Sequence, residues 1–296
     1  MMPLTGKLVS MGIFCPPLIF QSYHLYIFNQ SDILLLAWRC KMPLELSSDV
    51  TEVLSPSSLD LEGSLVDQVH KALRAAIVEM RLRPGSALSE KEIGACLNVS
   101  KTPIREALIR LVEERLVTVV PKSGTRVALI DIERFREGCF ARLHIEVAAA
   151  AQAATLRSDA HINQMKANFS RQHEALEKEA YWDFFLCDEQ FHALILKAAG
   201  LPGLIPIMKL AKVEVDRIRS LRNRLGVRRT EIVLREHEAI VEAIAARDPG
   251  RASQAMRDHL GEVDQRTWAL GEDHVLWSFI ESVSKVPART TFGFTG

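Results

Sequence analysis

No Cys-x-x-C pair occurs in this 296-residue chain; its five cysteines (Cys15, Cys40, Cys96, Cys139, Cys187) are scattered. That spacing indicates neither a zinc ribbon nor a thioredoxin-like redox site, and an odd, dispersed set fits reduced thiols in a cytosol. Neither sign of charge is in excess: 37 Lys and Arg stand against 37 Asp and Glu. Any basic surface for a polyanion must therefore be local rather than global. Long hydrophobic runs are also missing. Leu18–Phe28 and Ile33–Trp38 are apolar, but Gln21, His24, Asn29, Gln30 and Asp32 break the run short of the roughly 18 residues a membrane span needs. Lys7 precedes an apolar stretch, as in a signal peptide, yet no small-residue cleavage site follows. Finally, few Pro and Gly interrupt the chain after Asp131, which points to a second half that is nearly all helix.

What is present is concentrated between Leu88 and Val127, which reads as helix, tight turn, helix and β-hairpin. Ser64 is placed to cap a preceding helix whose stripe is Leu65, Val69, Leu73, Ile77 and Met80, ended by Pro84-Gly85. Ser89 with Glu92 forms a capping-box pattern for the next helix, which buries Ile93, Cys96 and Leu97. Asn98 suits the left-handed conformation of a tight turn. Thr102 as cap and Pro103 at the first position open the third helix, with Ile104, Ala107, Leu108 and Leu111 facing inward. Two β-branched runs, Val117–Val120 and Thr125–Leu129, flank Pro121-Lys122-Ser123-Gly124 and predict a wing.

This order is that of a winged helix-turn-helix, in which the amino end of the recognition helix meets base edges. Lys101, Thr102 and Arg105 lie there, away from the apolar face. Ser100 and the free N–H groups of the first turn suit a phosphate. Lys122 and Arg126 add charge to the wing, and Gly124 allows close backbone approach. Between Val99 and Arg126, six cations (Lys101, Arg105, Arg110, Arg115, Lys122, Arg126) outnumber three acids (Glu106, Glu113, Glu114), which is the local excess that DNA requires. The competing reading is a helix-turn-helix used for protein contacts alone.

From Ile132 onward the pattern predicts helices over Phe135–Leu156, Asp159–Glu179, Tyr181–Ala199, Leu204–Leu225, Arg228–Ala246 and Ala252–Leu270. Turns are expected at 200–203 and 247–250. Asp188 and His192 share a helix face at i, i+4. His237 and His259 sit among inward-facing apolar residues. Three imidazoles and a carboxylate are a donor set for a divalent transition metal, and an octahedral ion so held would keep two positions for water or a bidentate carboxylate. The bland alternatives are an Asp–His helix pair and histidines that are simply core or surface residues.

Three sequence blocks carry a family resemblance. Residues 98–108 (Asn-Val-Ser-Lys-Thr-Pro-Ile-Arg-Glu-Ala-Leu) and 111–117 (Leu-Val-Glu-Glu-Arg-Leu-Val) resemble the GntR family of bacterial repressors. Residues 187–192, 236–248 and 255–260 resemble the FCD ligand-binding domain of FadR-like members. The resemblance spans about residues 64–267. It implies DNA contacts from Ser100, Lys101, Thr102, Arg105 and Gly124; Lys101 stands where the family more often has Arg. It implies one metal ion, zinc first and nickel or manganese next, on Asp188, His192, His237 and His259. It also implies that Arg142, in the first bundle helix, lies near an effector carboxylate; the alternative for Arg142 is a surface ion pair with Glu146.

The expected fold is mainly α: an N-terminal winged helix-turn-helix followed by an all-α antiparallel helical bundle. Residues 1–63 are expected to be an extension outside the fold, with Met42 favoured as the true start and 43–63 flexible. The DNA-binding domain spans 64–130, the helical domain 135–270 and a tail 271–296. The expected protein is a cytoplasmic, non-enzymatic DNA-binding regulator, a repressor. It would act as a homodimer on a near-palindromic double-stranded operator, respond to a small organic acid and have no membrane partner. Two alternatives stand beside it. One is a metal-dependent hydrolase with a DNA-binding appendage, for which Glu189, Glu236 and Glu238 are near in sequence but expected to face elsewhere. The other is a metal site that is only structural.

Overall fold

Side chains at the helix starts set the frame of the first domain. The computed structural model describes residues 46–59, 62–226, 229–269, 279–280 and 282–284, with only the backbone described over 262–269. Ser64 accepts from the Asp67 amide and Asp67 answers at the Ser64 amide, a complete capping box that opens α1 (Leu65–Val78). Ser89 caps α2 (Glu90–Leu97) through the Glu92 amide. Asn98, at φ 55°, makes the left-handed turn into α3 (Lys101–Glu113). Strands β1 (Val117–Val120) and β2 (Gly124–Val127) pair antiparallel, Val117 opposite Val127 and Val120 opposite Gly124. Gly124 has φ +87° and open space where a Cβ would be, so the turn conformation, not packing, requires glycine there.

Four expectations need correction here. Helix α1 stops at Val78, well before Pro84-Gly85; Met80 lies beyond it at φ 56° and is buried in a different cluster. The cap of α3 is Ser100, not Thr102, which puts Pro103 in the third helical position. It is tolerated because first-turn N–H groups have no intrahelical acceptor. The second strand ends at Val127 rather than Leu129. The segment before Ser64 is not wholly outside the fold. Short 3-10 turns at Val50–Glu52 and Pro56–Ser58 bury Val50 and Leu54 in the same core as α1–α3. Residues 1–45, with the Met42 expectation, and most of the tail lie outside the described residues. Of the tail, Ile280 and Val283 are buried, and the Val283 carbonyl accepts from the Ile130 amide.

Among the described residues, these helices follow: α4 (Ile132–Leu156), α5 (Asp159–Glu177), α6 (Tyr181–Ala198), α7 (Leu204–Ala211), α8 (Val213–Arg224), α9 (Thr230–Ala245) and α10 (Pro249–Ala269). Helices α4, α6, α9 and α10 surround the largest apolar cluster, which contains Ala150, Phe191, Ile195, Ile240, Ile244 and Met256. Small alanines on α4 let its neighbours approach closely. The single helix expected over Leu204–Leu225 is two, broken at Lys212. The Lys212 ammonium is drawn inward to Asp216 (2.7 Å) and to Glu189. A Cβ on Gly138 of α4 would lie 2.6 Å from the Ala211 carbonyl, so the break is pressed against α4 where only glycine fits. Pro249, expected in a turn, is instead the first residue of α10. Among the described residues, no helix is long and apolar enough to cross a membrane.

Candidate metal centre and nucleic-acid interface

Helix α6 contributes Asp188 and His192, α9 contributes His237 and α10 contributes His259. All four side chains are buried, and their nearest ligand atoms lie within 4.8 Å of one another. His192 Nε2 is 3.4 Å from His259 Nε2. Asp188 Oδ1 is 3.6 Å from His237 Nε2 and 3.9 Å from His192 Nε2. Bonds of about 2.0–2.1 Å to a single ion put neighbouring donors roughly 3–3.5 Å apart, close to these separations.

The outer ring nitrogens explain why the inner ones converge. His237 Nδ1 is 2.8 Å from Gln172 Oε1, and His259 Nδ1 is 2.8 Å from Glu236 Oε2. His192 Nδ1 is 2.6 Å from Glu146 Oε2. An oxygen acceptor at Nδ1 of His237 and of His259 assigns the proton there and leaves a lone pair on Nε2. Each partner is held in turn. The Gln172 amide donates to Asn168 Oδ1 (2.7 Å), and Asn168 donates to the Cys187 carbonyl (3.0 Å). Arg229 donates to Glu236 (2.8 Å), and Arg142 donates to Glu146 (2.9 Å). Such outer partners fix imidazole orientation in metal sites.

The electrostatics favour a cation. Burial, then the neighbouring His259, hold His237 well below the ordinary imidazole range; burial and His192 do the same to His259. Both rings are therefore neutral, as ligands must be. Burial opposes ionisation of Asp188, yet the Arg219 guanidinium holds its carboxyl well below the ordinary range. Arg219 donates to Asp188 Oδ2 (2.9 Å), while Asp188 Oδ1 and His237 Nε2 have no hydrogen-bond partner. Buried, unpaired acceptors converging on one point are costly unless something positive lies between them.

Arg142 is buried and paired with Glu146, so the alternative of a surface pair is wrong in its setting, though right in its partner. Its Nη2 also lies 3.1 Å from His192 Nε2, at the edge of the cluster. Burial opposes charge on Arg142, but Glu146 raises its pKa far above the ordinary arginine value. Glu236 does not face elsewhere, as expected, but supports His259; Glu189 pairs with Lys212. Sequence reasoning missed Gln172, Asn168, Glu236 and Arg219. The i, i+4 placement of Asn168 and Gln172 on one inward face of α5 was the available signal.

The residues expected to read DNA form a second, separate group. Ser100, Lys101, Thr102 and Arg105 are exposed along the start of α3, and Lys122 and Gly124 are exposed at the wing tip. Arg105 is 62% exposed and reaches back to Glu90 on α2 (2.9 Å). Arg126 is not a free cation of the wing: it donates to the Gly85 carbonyl and to Ser123, closing the hairpin.

A reading helix with a wing, joined to a helical domain with a buried donor cluster, defines a DNA-binding transcriptional regulator. The chain belongs to the GntR family: residues 65–127 match "Bacterial regulatory proteins, gntR family" and residues 137–262 match the "FCD domain". It is 33% identical over 210 residues to the HTH-type transcriptional repressor RspR of Escherichia coli (strain K12), covering 71% of this chain and 92% of that one. It is also 33% identical over 199 residues to an uncharacterized HTH-type transcriptional regulator of Streptomyces ambofaciens (66% and 81% covered). The solved structure of E. coli McbR/YncC has the same fold, with a TM-score of 0.61 at 20% identity over 72% of this chain and all of that one. The family and these relatives are transcriptional regulators, not enzymes.

Proposed function

We propose that this regulator is a repressor whose hold on its operator is controlled by a small carboxylate, bound at a divalent metal ion in the FCD domain. The observation that carries the reading is the convergence of three imidazole nitrogens with Asp188 Oδ1, two of these four atoms (His237 Nε2 and Asp188 Oδ1) being buried without a partner. Three imidazoles and one carboxylate suit zinc, nickel or manganese. Bound there, such an ion supplies a Lewis-acidic centre for an anionic oxygen donor. Asp188, His192, His237 and His259 would hold the ion. Gln172, Glu146 and Glu236 orient the rings. Arg142, already at the edge of the cluster, offers a guanidinium to the effector carboxylate.

On the DNA side, Arg105, Lys101 and Thr102 would meet base edges, with Ser100, Lys122 and the Gly124 backbone on phosphates. One recognition helix reads a half-site, so a homodimer on a near-palindromic duplex follows. The test is a panel of small carboxylates titrated into zinc-loaded protein bound to a duplex that the protein itself selects from a random library. At least one carboxylate is expected to weaken binding with zinc present and to have no effect after chelation. Equal effects in both states would overturn the reading.

A further inference from the structure

The groups that link the two functional regions converge on α8. We propose that Arg219 is the positioning residue through which occupancy of the Asp/His cluster is transmitted to the DNA-binding domain; this rests on the metal reading above. Asp188 is divided between two partners, with Oδ1 facing the cluster and Oδ2 accepting from Arg219 at 2.9 Å. When a cation is held at Oδ1, Asp188 shares its charge between the two oxygens and its hold on Arg219 weakens. By reciprocity, whatever moves Arg219 changes the affinity of Asp188 for the cation.

Arg219 is placed so that its movement is felt elsewhere. Its guanidinium lies 5.5 Å from the centroid of the Phe185 ring. Phe185 stacks on Trp182 at 4.9 Å, and both pack against the apolar core of the winged domain. The helix that carries Arg219 grips that domain at three further points. Val213 is part of the winged-domain core. Arg217, fully buried, donates to the Ala128 carbonyl (2.7 Å) and the Leu129 carbonyl (3.4 Å), the link between the wing and α4. Arg224 donates to the Glu79 carbonyl at the end of α1 (2.7 Å). One helix therefore bonds the cluster's carboxylate, the linker and the first helix of the reader. A shift of α8 cannot occur without re-aiming that domain.

Hydrogen–deuterium exchange on the full chain, with and without saturating zinc, tests this. The amides to follow lie in 79–82 and 128–130, where Leu82 N bonds the Ala76 carbonyl and Ala128 N bonds the Leu116 carbonyl. Calorimetric titration sets the zinc concentration that saturates each protein. In the wild type, zinc is expected to change exchange in both segments by about fivefold or more. In Arg219→Gln, zinc still binds, more tightly by about fivefold or more because the guanidinium that competes for the Asp188 charge is gone, and the change in both segments disappears. Phe185→Leu leaves the donors untouched; it is expected to bind zinc like the wild type and to lose at least half of the change. It decides the matter should Arg219→Gln bind no zinc. An undiminished response in a zinc-bound variant overturns the proposal, as does a zinc-bound wild type without any response. A wild type that binds no zinc instead sinks the metal reading on which the proposal rests.

Discussion

Arg105 and Arg142 are both arginines paired with a glutamate, and the two pairs divide the molecule into two kinds of region. Arg105 is 62% exposed, and its partner Glu90 is 33% exposed. Arg142 and Glu146 are 4% and 3% exposed. The first pair is worth about 0–1 kcal/mol in water and exchanges readily for a nucleic-acid partner. The second has lost its hydration, and each member depends on the other. The face proposed to read DNA is thus a set of loosely held side chains on a stable frame. The proposed metal centre is a set of side chains that are themselves part of the frame. Its imidazoles and carboxylates each have a second partner, down to the Cys187 carbonyl that fixes Asn168.

This contrast can be broken most severely at Arg142. Arg142→Ala leaves the buried Glu146 with only His192 beside it, and is expected to lower the unfolding free energy in urea by about 3–5 kcal/mol. Replacing both members by apolar residues of similar size should recover much of that loss. A smaller change is expected from Gln172→Leu, which removes only the acceptor for His237 Nδ1. Zinc affinity, measured by competition with a chromogenic chelator, should fall about 10–100-fold. Smaller again is Arg105→Ala. Specific operator binding is expected to weaken by about 1–3 kcal/mol, with the unfolding midpoint unchanged. Undiminished sequence discrimination in that variant would remove Arg105 as a base-reading residue.

The reading domain was largely legible because its signals are local: Ser64, Ser89, Asn98 and the Val117–Val120 run each act on their own neighbours. Its misreadings came where local signals competed. Thr102 looked the better cap, but Ser100 took the position; Pro84-Gly85 marked a turn, but α1 had already ended at Glu79. The lead-in looked flexible because Ser and acidic residues hid Val50 and Leu54, whose burial depends on a core built from distant residues. In the bundle, i, i+4 spacing placed Asp188 with His192, inward periodicity offered His237 and His259 as further donors, and resemblance strengthened the set. The outer partners were not legible. Gln172 meets His237 from 65 residues away and Arg219 meets Asp188 from 31, separations on which no helical period bears. The break at Lys212 was hidden for a similar reason, since it follows from the close approach of Gly138 on another helix.

The most direct test of the central claim is elemental mass spectrometry of the full chain and of His237→Ala, each checked for helical content by circular dichroism. The account predicts about one transition-metal ion per wild-type chain and almost none in the variant, with both folded. A folded wild type without metal, or a variant that carries as much as the wild type, would contradict it.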